Sequence, residues 1–206
     1  MNPEFLALSI IILLFSVILH EVMHGFVALR FGDHTAEKMG RLTLNPIPHI
    51  DPIGTVLLPA LFLLLPRIIG TPPGIFIAWA KPVPVNPLNF SNIRNGELFV
   101  SLAGVASNFA LALTGALLYH MYPNSIFQFT VGINLMLGIF NLLPIPPLDG
   151  YNALLSRLPY NLAQNYQKLS PYGFLIILTL LYLNVLGVII DLILFPLYHL
   201  LGVPPL

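Results

Sequence analysis

The sequence predicts an all-α polytopic membrane protein, and three observations carry that prediction. Only 8% of its 206 residues are Asp, Glu, Lys or Arg, and 57% are hydrophobic. A soluble domain carries about 25% charged residues, because a water-facing surface needs them. Apolar runs long enough to enter a bilayer recur between short clusters of charge. The chain also has no cysteine, so disulfides and thiolate metal sites are excluded, and any metal must be held by His, Asp or Glu. Eight basic and eight acidic residues cancel, which leaves no positive surface for a polyanion. A soluble enzyme, a disordered chain and a nucleic-acid binder are thereby set aside.

About five apolar segments are expected. Phe5 to Leu19 is apolar and continues through His20, Glu21 and His24 towards Arg30. Met1 to Glu4 has no basic residue and no small-residue cleavage site follows, so this segment predicts a retained first membrane helix rather than a signal peptide. Pro52 to Pro66 is a 15-residue apolar run interrupted by Pro59. Leu98 to Leu148 holds no Asp, Glu, Lys or Arg before Asp149 and breaks at Tyr122-Pro123-Asn124, which predicts helices near 98–120 and 126–143. Leu169 to Ile190 is a further span, followed after Asp191 by a shorter apolar tail, either interfacial or a continuation of the same helix.

Basic residues set the orientation. Arg30, Lys38 and Arg41 follow the first helix, whose C-terminal end is therefore expected in the cytoplasm. A full crossing by 52–66 would leave Lys81, Arg94, Arg157 and Lys168 outside. If 52–80 instead enters and returns, turning at Arg67-Ile-Ile-Gly-Thr-Pro-Pro-Gly, every basic residue except Arg67 faces the cytoplasm. One re-entrant or hairpin element is the preferred reading. The prolines of Lys81-Pro-Val-Pro-Val-Asn-Pro demand extended backbone, so a small extended or β region is expected after the first helix.

The chemistry concentrates in His20-Glu21-Val22-Met23-His24. On a helix, residues i and i+4 share a face, so two imidazoles can hold one zinc ion, with Glu21 beside them as general base. Shuffling this composition produces the pattern about 0.003 times. The bland alternative, two unrelated histidines at a helix end, has to carry the cost of burying His and Glu in an apolar helix. From Leu6 to His20 is 14 residues, about 21 Å of helix, which puts the site inside a hydrocarbon core about 30 Å thick. A catalytic zinc takes three protein ligands and keeps one position open. Asp149 is the best third ligand: it follows an apolar span in Asn141-Leu-Leu-Pro-Ile-Pro-Pro-Leu-Asp-Gly150, where three prolines would unwind the helix end. Its alternative role is a helix N-cap. Rival ligands are Asp33, His34, His49, Asp51 and Asp191, with His49 and Asp51 reading more readily as a structural pair.

His-Glu-x-x-His in a first membrane helix, with Asn-x-x-Pro-x-x-Pro-Leu-Asp-Gly late in the chain, resembles the site-2 protease family of intramembrane zinc metalloproteases, peptidase family M50. The resemblance covers most of residues 1–160. It implies one zinc ion per chain on His20, His24 and Asp149, with Glu21 as catalytic base, and a three-helix core whose two metal-bearing helices run the same way. The family's Gly-Pro-x-x-Asn stretch reads Gly104-Val-Ala-Ser-Asn108 here, with Val105 in place of proline. Asn108 and Asn141 are candidates for holding the substrate backbone or an oxyanion, against a plain interhelical role. Residues 40–54 and 79–87 are similar to the short, single-module branch, which lacks PDZ and CBS domains.

The implied organisation is one membrane-embedded metalloprotease domain over 1–206, with a catalytic core at about 1–160 and a helical region at about 170–206. Expected partners are the lipid bilayer and single-span membrane-protein substrates, in the cell membrane of a prokaryote, with the active site towards the cytoplasm. Two rival functions are a metal-ion transporter, which has no need of a Glu after the first His, and a catalytically silent adaptor, for which the four intact positions give no support.

Overall fold

The computed structural model describes residues 3–57, 61 and 79–206. Eight α-helices are described: α1 (Pro3–Arg30), α2 (Thr35–Lys38), α3 (Ile93–Met121), α4 (Ser125–Leu142), α5 (Asp149–Leu155), α6 (Tyr160–Gln167), α7 (Gly173–Tyr182) and α8 (Val185–Leu201). A π-helical turn spans Pro52–Leu57.

At 28 residues, α1 is about 42 Å long, more than the hydrocarbon thickness of a bilayer. Leu6, Ile10, Ile11, Leu14 and Phe15 remain exposed on it, the surface expected of a helix in lipid. The α3–α4 boundary follows from local chemistry. Pro123 stops α3, and the Asn124 side chain caps α4 by accepting from the Ile126 N–H at 2.9 Å. At the other end of α3, Asn92 accepts from the Asn95 N–H at 2.9 Å.

α3 is the central helix and packs against α1, α4 and α5. His20 meets Asn108, whereas His24, one turn later, meets Val100; α1 and α3 are therefore antiparallel. The short connection at 122–124 returns α4 antiparallel to α3, so α1 and α4 run the same way. One apolar core joins Ala112 and Ala116 of α3, Val131, Leu135 and Ile139 of α4, and Tyr198 and Val203 at the C-terminal end.

Among the described residues, three helices are long and apolar enough to cross a membrane: α1, α3 and α4. The count becomes four if the bent pair 160–182 and 185–201 forms one broken span. The expected five segments are not reached among the described residues. The span expected at 169–190 is bent: the helical stretch 160–182 and α8 meet at 77°, across Asn184 in left-handed backbone (φ 56°), a conformation Asn tolerates better than most residues. α8 continues through Asp191 to Leu201. Most of the expected re-entrant element, 58–60 and 62–78, lies outside the described residues.

The expected β region is corrected too. Among the described residues there is no strand. Residues 79–86 lack regular structure, and Pro82, Pro84 and Pro87 have no N–H to offer a ladder. Side chains hold this segment instead. Buried Arg41 donates from Nη2 to the carbonyls of Lys81 (2.8 Å) and Pro82 (3.2 Å).

Candidate metal centre

His20 and His24 stand one turn apart on α1, and α3 comes close enough to pin both rings. His24 Nδ1 lies 2.7 Å from the Val100 carbonyl. A carbonyl only accepts, so Nδ1 carries the proton and the neutral ring keeps its lone pair on Nε2. His20 Nδ1 lies 2.6 Å from Asn108 Oδ1. The close approach needs a glycine: a Cβ on Gly104 would sit 2.6 Å from atoms of both imidazoles.

The third group arrives from beyond α4. That helix ends at Leu142, and residues 143–148, with three prolines, turn the chain back. Here too a glycine is required, since a Cβ at Gly150 would stand 2.0 Å from the Leu142 carbonyl oxygen. Asp149 opens α5, but Leu148 is its N-cap residue and no side chain caps the helix. The Asp149 carboxylate faces the histidines instead. Oδ2 is 3.1 Å from His20 Nε2, and Oδ1 is 3.4 Å from His24 Nε2.

The two Nε2 atoms are 3.0 Å apart, and the three ligand atoms lie within 4.8 Å of one another. Asp149 Oδ2 is buried without a hydrogen-bond donor, although it approaches His20. Three lone-pair groups at such distances repel unless a cation, proton or metal, sits between them. Ligand atoms tetrahedrally arranged about a zinc ion stand about 3.3 Å apart. Two imidazole nitrogens and one carboxylate oxygen are also a common catalytic zinc donor set, so the residues fit the metal.

Glu21 lies beside these groups in sequence. Its Oε2 accepts from the Val83 N–H at 2.9 Å, so the proline-rich segment reaches this carboxylate. The Asn108 amide is engaged at both ends: its oxygen faces His20, and its Nδ2 donates to Asn134 Oδ1 at 3.0 Å. Asn141 Nδ2 donates within its own helix, to the Leu137 carbonyl at 3.0 Å.

The rival ligands lie elsewhere. His34 pairs with Glu37 at 2.7 Å on the surface. Asp33 accepts from Asn86 and Asn89. His49 is buried with Nε2 2.9 Å from the Thr43 carbonyl, and Asp51 Oδ1 accepts from the Ile53 and Gly54 N–H groups, capping the turn at 52–57. Sequence reasoning missed Asn134, Ser16, Arg41 and the Val83 N–H. Asn134 carried a legible signal, a carboxamide in the middle of an apolar span; a backbone N–H carries none.

The model of peptidase family M50 matches residues 116–181, a stretch that contains Asp149 but not His20 or His24. YwhC of Bacillus subtilis, a zinc metalloprotease by name, is 38% identical over 185 residues, covering 83% of this chain and 78% of the relative. Rip2 of Mycolicibacterium smegmatis, also named for that activity, is 36% identical over 82% of this chain and 64% of its own length. The zinc metalloprotease MJ0392 of Methanocaldococcus jannaschii is 26% identical over 98% of this chain and 50% of its own. No solved structure gives a significant match.

Proposed function

This chain belongs to peptidase family M50 and is a zinc-dependent membrane peptidase; we propose that it hydrolyses peptide bonds of single-span membrane proteins inside the cytoplasmic half of the bilayer. The observation that carries this reading is that Asp149 comes within 4.8 Å of His20 and His24, which lie on a helix apolar enough to span, with Glu21 next to the first histidine.

In this reading His20 Nε2, His24 Nε2 and an Asp149 oxygen hold the ion. Bound there, zinc supplies Lewis acidity and makes water nucleophilic near neutral pH. Glu21 takes the proton of the attacking water and returns it to the leaving amine. The Val83 N–H holds one oxygen of Glu21, which limits the carboxylate's rotation. A helix hides its amides, so the substrate must be unwound where it is cut; single spans with a helix-weakening stretch suit this requirement.

The cytoplasmic assignment rests on positive charge. Arg41 touches the Lys81 carbonyl, and Arg94 donates to the carbonyls of Ser156 and Arg157. Basic residues from both halves of the chain thus gather at the end where α1 finishes and α3 begins. His20 is ten residues from Arg30, about 15 Å along the helix, which leaves the site below that surface.

The test is cleavage of a labelled single-span substrate in liposomes by the wild type and by Glu21→Gln, each shown to carry equal zinc. Product from the wild type alone is expected. Zinc flux across the liposomes without cleavage of any of several substrates, abolished by His20→Ala, would replace the protease reading with a transporter.

A further inference from the structure

A line of polar side chains runs through the middle of the three-helix core and ends on the first histidine. Asn134 Nδ2 donates to the Thr130 carbonyl and to Ser16 Oγ, each at 3.0 Å. Asn134 Oδ1 accepts from Asn108 Nδ2 at 3.0 Å, and Asn108 Oδ1 lies 2.6 Å from His20 Nδ1. Asn108 and Asn134 are completely buried, and Ser16 nearly so. Two carboxamides in an apolar core are costly unless every group is paired, and here the pairing has a direction.

The direction starts from the backbone. The Thr130 carbonyl can only accept, so it fixes which end of Asn134 carries the hydrogens. Asn134 must then present its oxygen to Asn108, and Asn108 must present its nitrogen in return. That leaves the Asn108 oxygen facing His20, which requires the proton on Nδ1 and the lone pair on Nε2. Nε2 is the atom beside Asp149 and His24. His24 obtains the same tautomer directly from the Val100 carbonyl; His20 has no such carbonyl and obtains it through two side chains.

We propose that Asn134 is a positioning residue for the metal centre. Through Asn108 it transmits the polarity of the Thr130 carbonyl to His20 and holds that ring in the tautomer and orientation that ligate metal. Partners of this kind, one step outside the ligands, orient a histidine and raise its basicity. The inference rests on the reading of His20 as a zinc ligand. It gives Asn108 an acceptor's role towards His20, in place of a donor's role towards substrate.

The test uses the full chain in detergent, with zinc affinity measured by chelator competition and ligand geometry read from the visible spectrum of the cobalt(II)-substituted protein. Asn134→Leu and Asn108→Leu are expected to weaken zinc binding about 10–100-fold and to change the cobalt spectrum. Asn108→Asp combined with Asn134→Leu is expected to keep most of the wild-type affinity, because a carboxylate accepts from Nδ1–H whichever way it is turned and the leucine removes the Asn134 oxygen that would otherwise face it. A merely structural Asn134 would weaken the fold equally in the single and the double variant and leave the cobalt spectrum of the folded fraction unchanged; that result overturns the proposal. Should Asn134→Leu fail to fold, Asn134→Ala decides in its place: zinc affinity and a cobalt spectrum both unchanged from the wild type also overturn it. Failure of the underlying reading looks different, with His20→Ala binding zinc as tightly as the wild type.

Discussion

Asp33 and Asp149 are both carboxylates drawn out of water, and their surroundings are opposite. Asp33 is fully buried and ringed by donors. The Asn86 N–H and Asn89 Nδ2 each approach to 2.7 Å, and Thr35 gives its N–H at 3.1 Å and its hydroxyl. Asp149 faces two imidazole nitrogens, and its Oδ2 has no donor. A carboxylate surrounded by donors is already satisfied and ties the 86–89 turn to the end of α1. A carboxylate facing other lone pairs is satisfied only by a cation. The contrast separates a joint from a candidate metal ligand without reference to any motif.

The largest effect should come from exchanging the two losses. Asp149→Ala is expected to drop zinc well below one per chain and abolish cleavage, while helicity by circular dichroism persists. Asp33→Ala is expected to do the reverse, keeping zinc and lowering the thermal midpoint. An Asp149→Ala protein with full zinc occupancy would end the distinction.

Next in size is Glu21→Gln, which keeps the three candidate ligands but removes the proposed proton acceptor. Cleavage should fall by about 10²–10⁴-fold with zinc content unchanged, both measured on one preparation. A smaller loss would assign the proton transfer to another group. Gly104→Ala should follow, because its new Cβ would meet both rings at 2.6 Å. The rings must shift, and zinc affinity is expected to fall about tenfold or more with little change in helix content. An unaltered affinity would mean that α3 can back away from α1 without cost.

These contrasts also mark what the sequence made legible. His20, Glu21 and His24 are spaced by one helical turn, a local pattern readable on one strip of chain. Asp149 was readable because prolines and a glycine bracket it at the end of an apolar span. The boundary between α3 and α4 was equally local, set by Pro123 and Asn124. The break at Asn184 was not, because a left-handed residue inside a long apolar run has no distinctive composition when the residue is not glycine. The extended proline-rich segment was readable as non-helical, but whether it pairs as a strand depends on distant partners, and it is held by Arg41 and Glu21 instead. Asp33 was a rival ligand on paper, because donors 53 and 56 residues away cannot be seen from Asp33-His34-Thr35.

The smallest effect, and the sharpest probe of the joint, is the acid dependence of stability. Burial alone pushes the Asp33 carboxyl upward, but hydrogen bonds from Asn86, Thr35 and Asn89 outweigh it and hold the group below its ordinary value, which is about 4. Because the folded form binds its proton less readily than the unfolded chain, the stabilisation is complete above that ordinary value. It is lost as pH falls from there through the lowered folded value. Asn at this position donates as well as accepts and cannot gain the charge. Asp33→Asn should therefore be less stable than the wild type by about 2 kcal/mol near neutral pH, and the gap should close below about pH 4. Thermal midpoints of both proteins in detergent between pH 3 and 7 measure it, and their difference cancels the titration of the histidines common to both. A gap that stays constant across that range would mean that Asp33 holds the turn by shape rather than by charge, and would remove the electrostatic half of the contrast with Asp149.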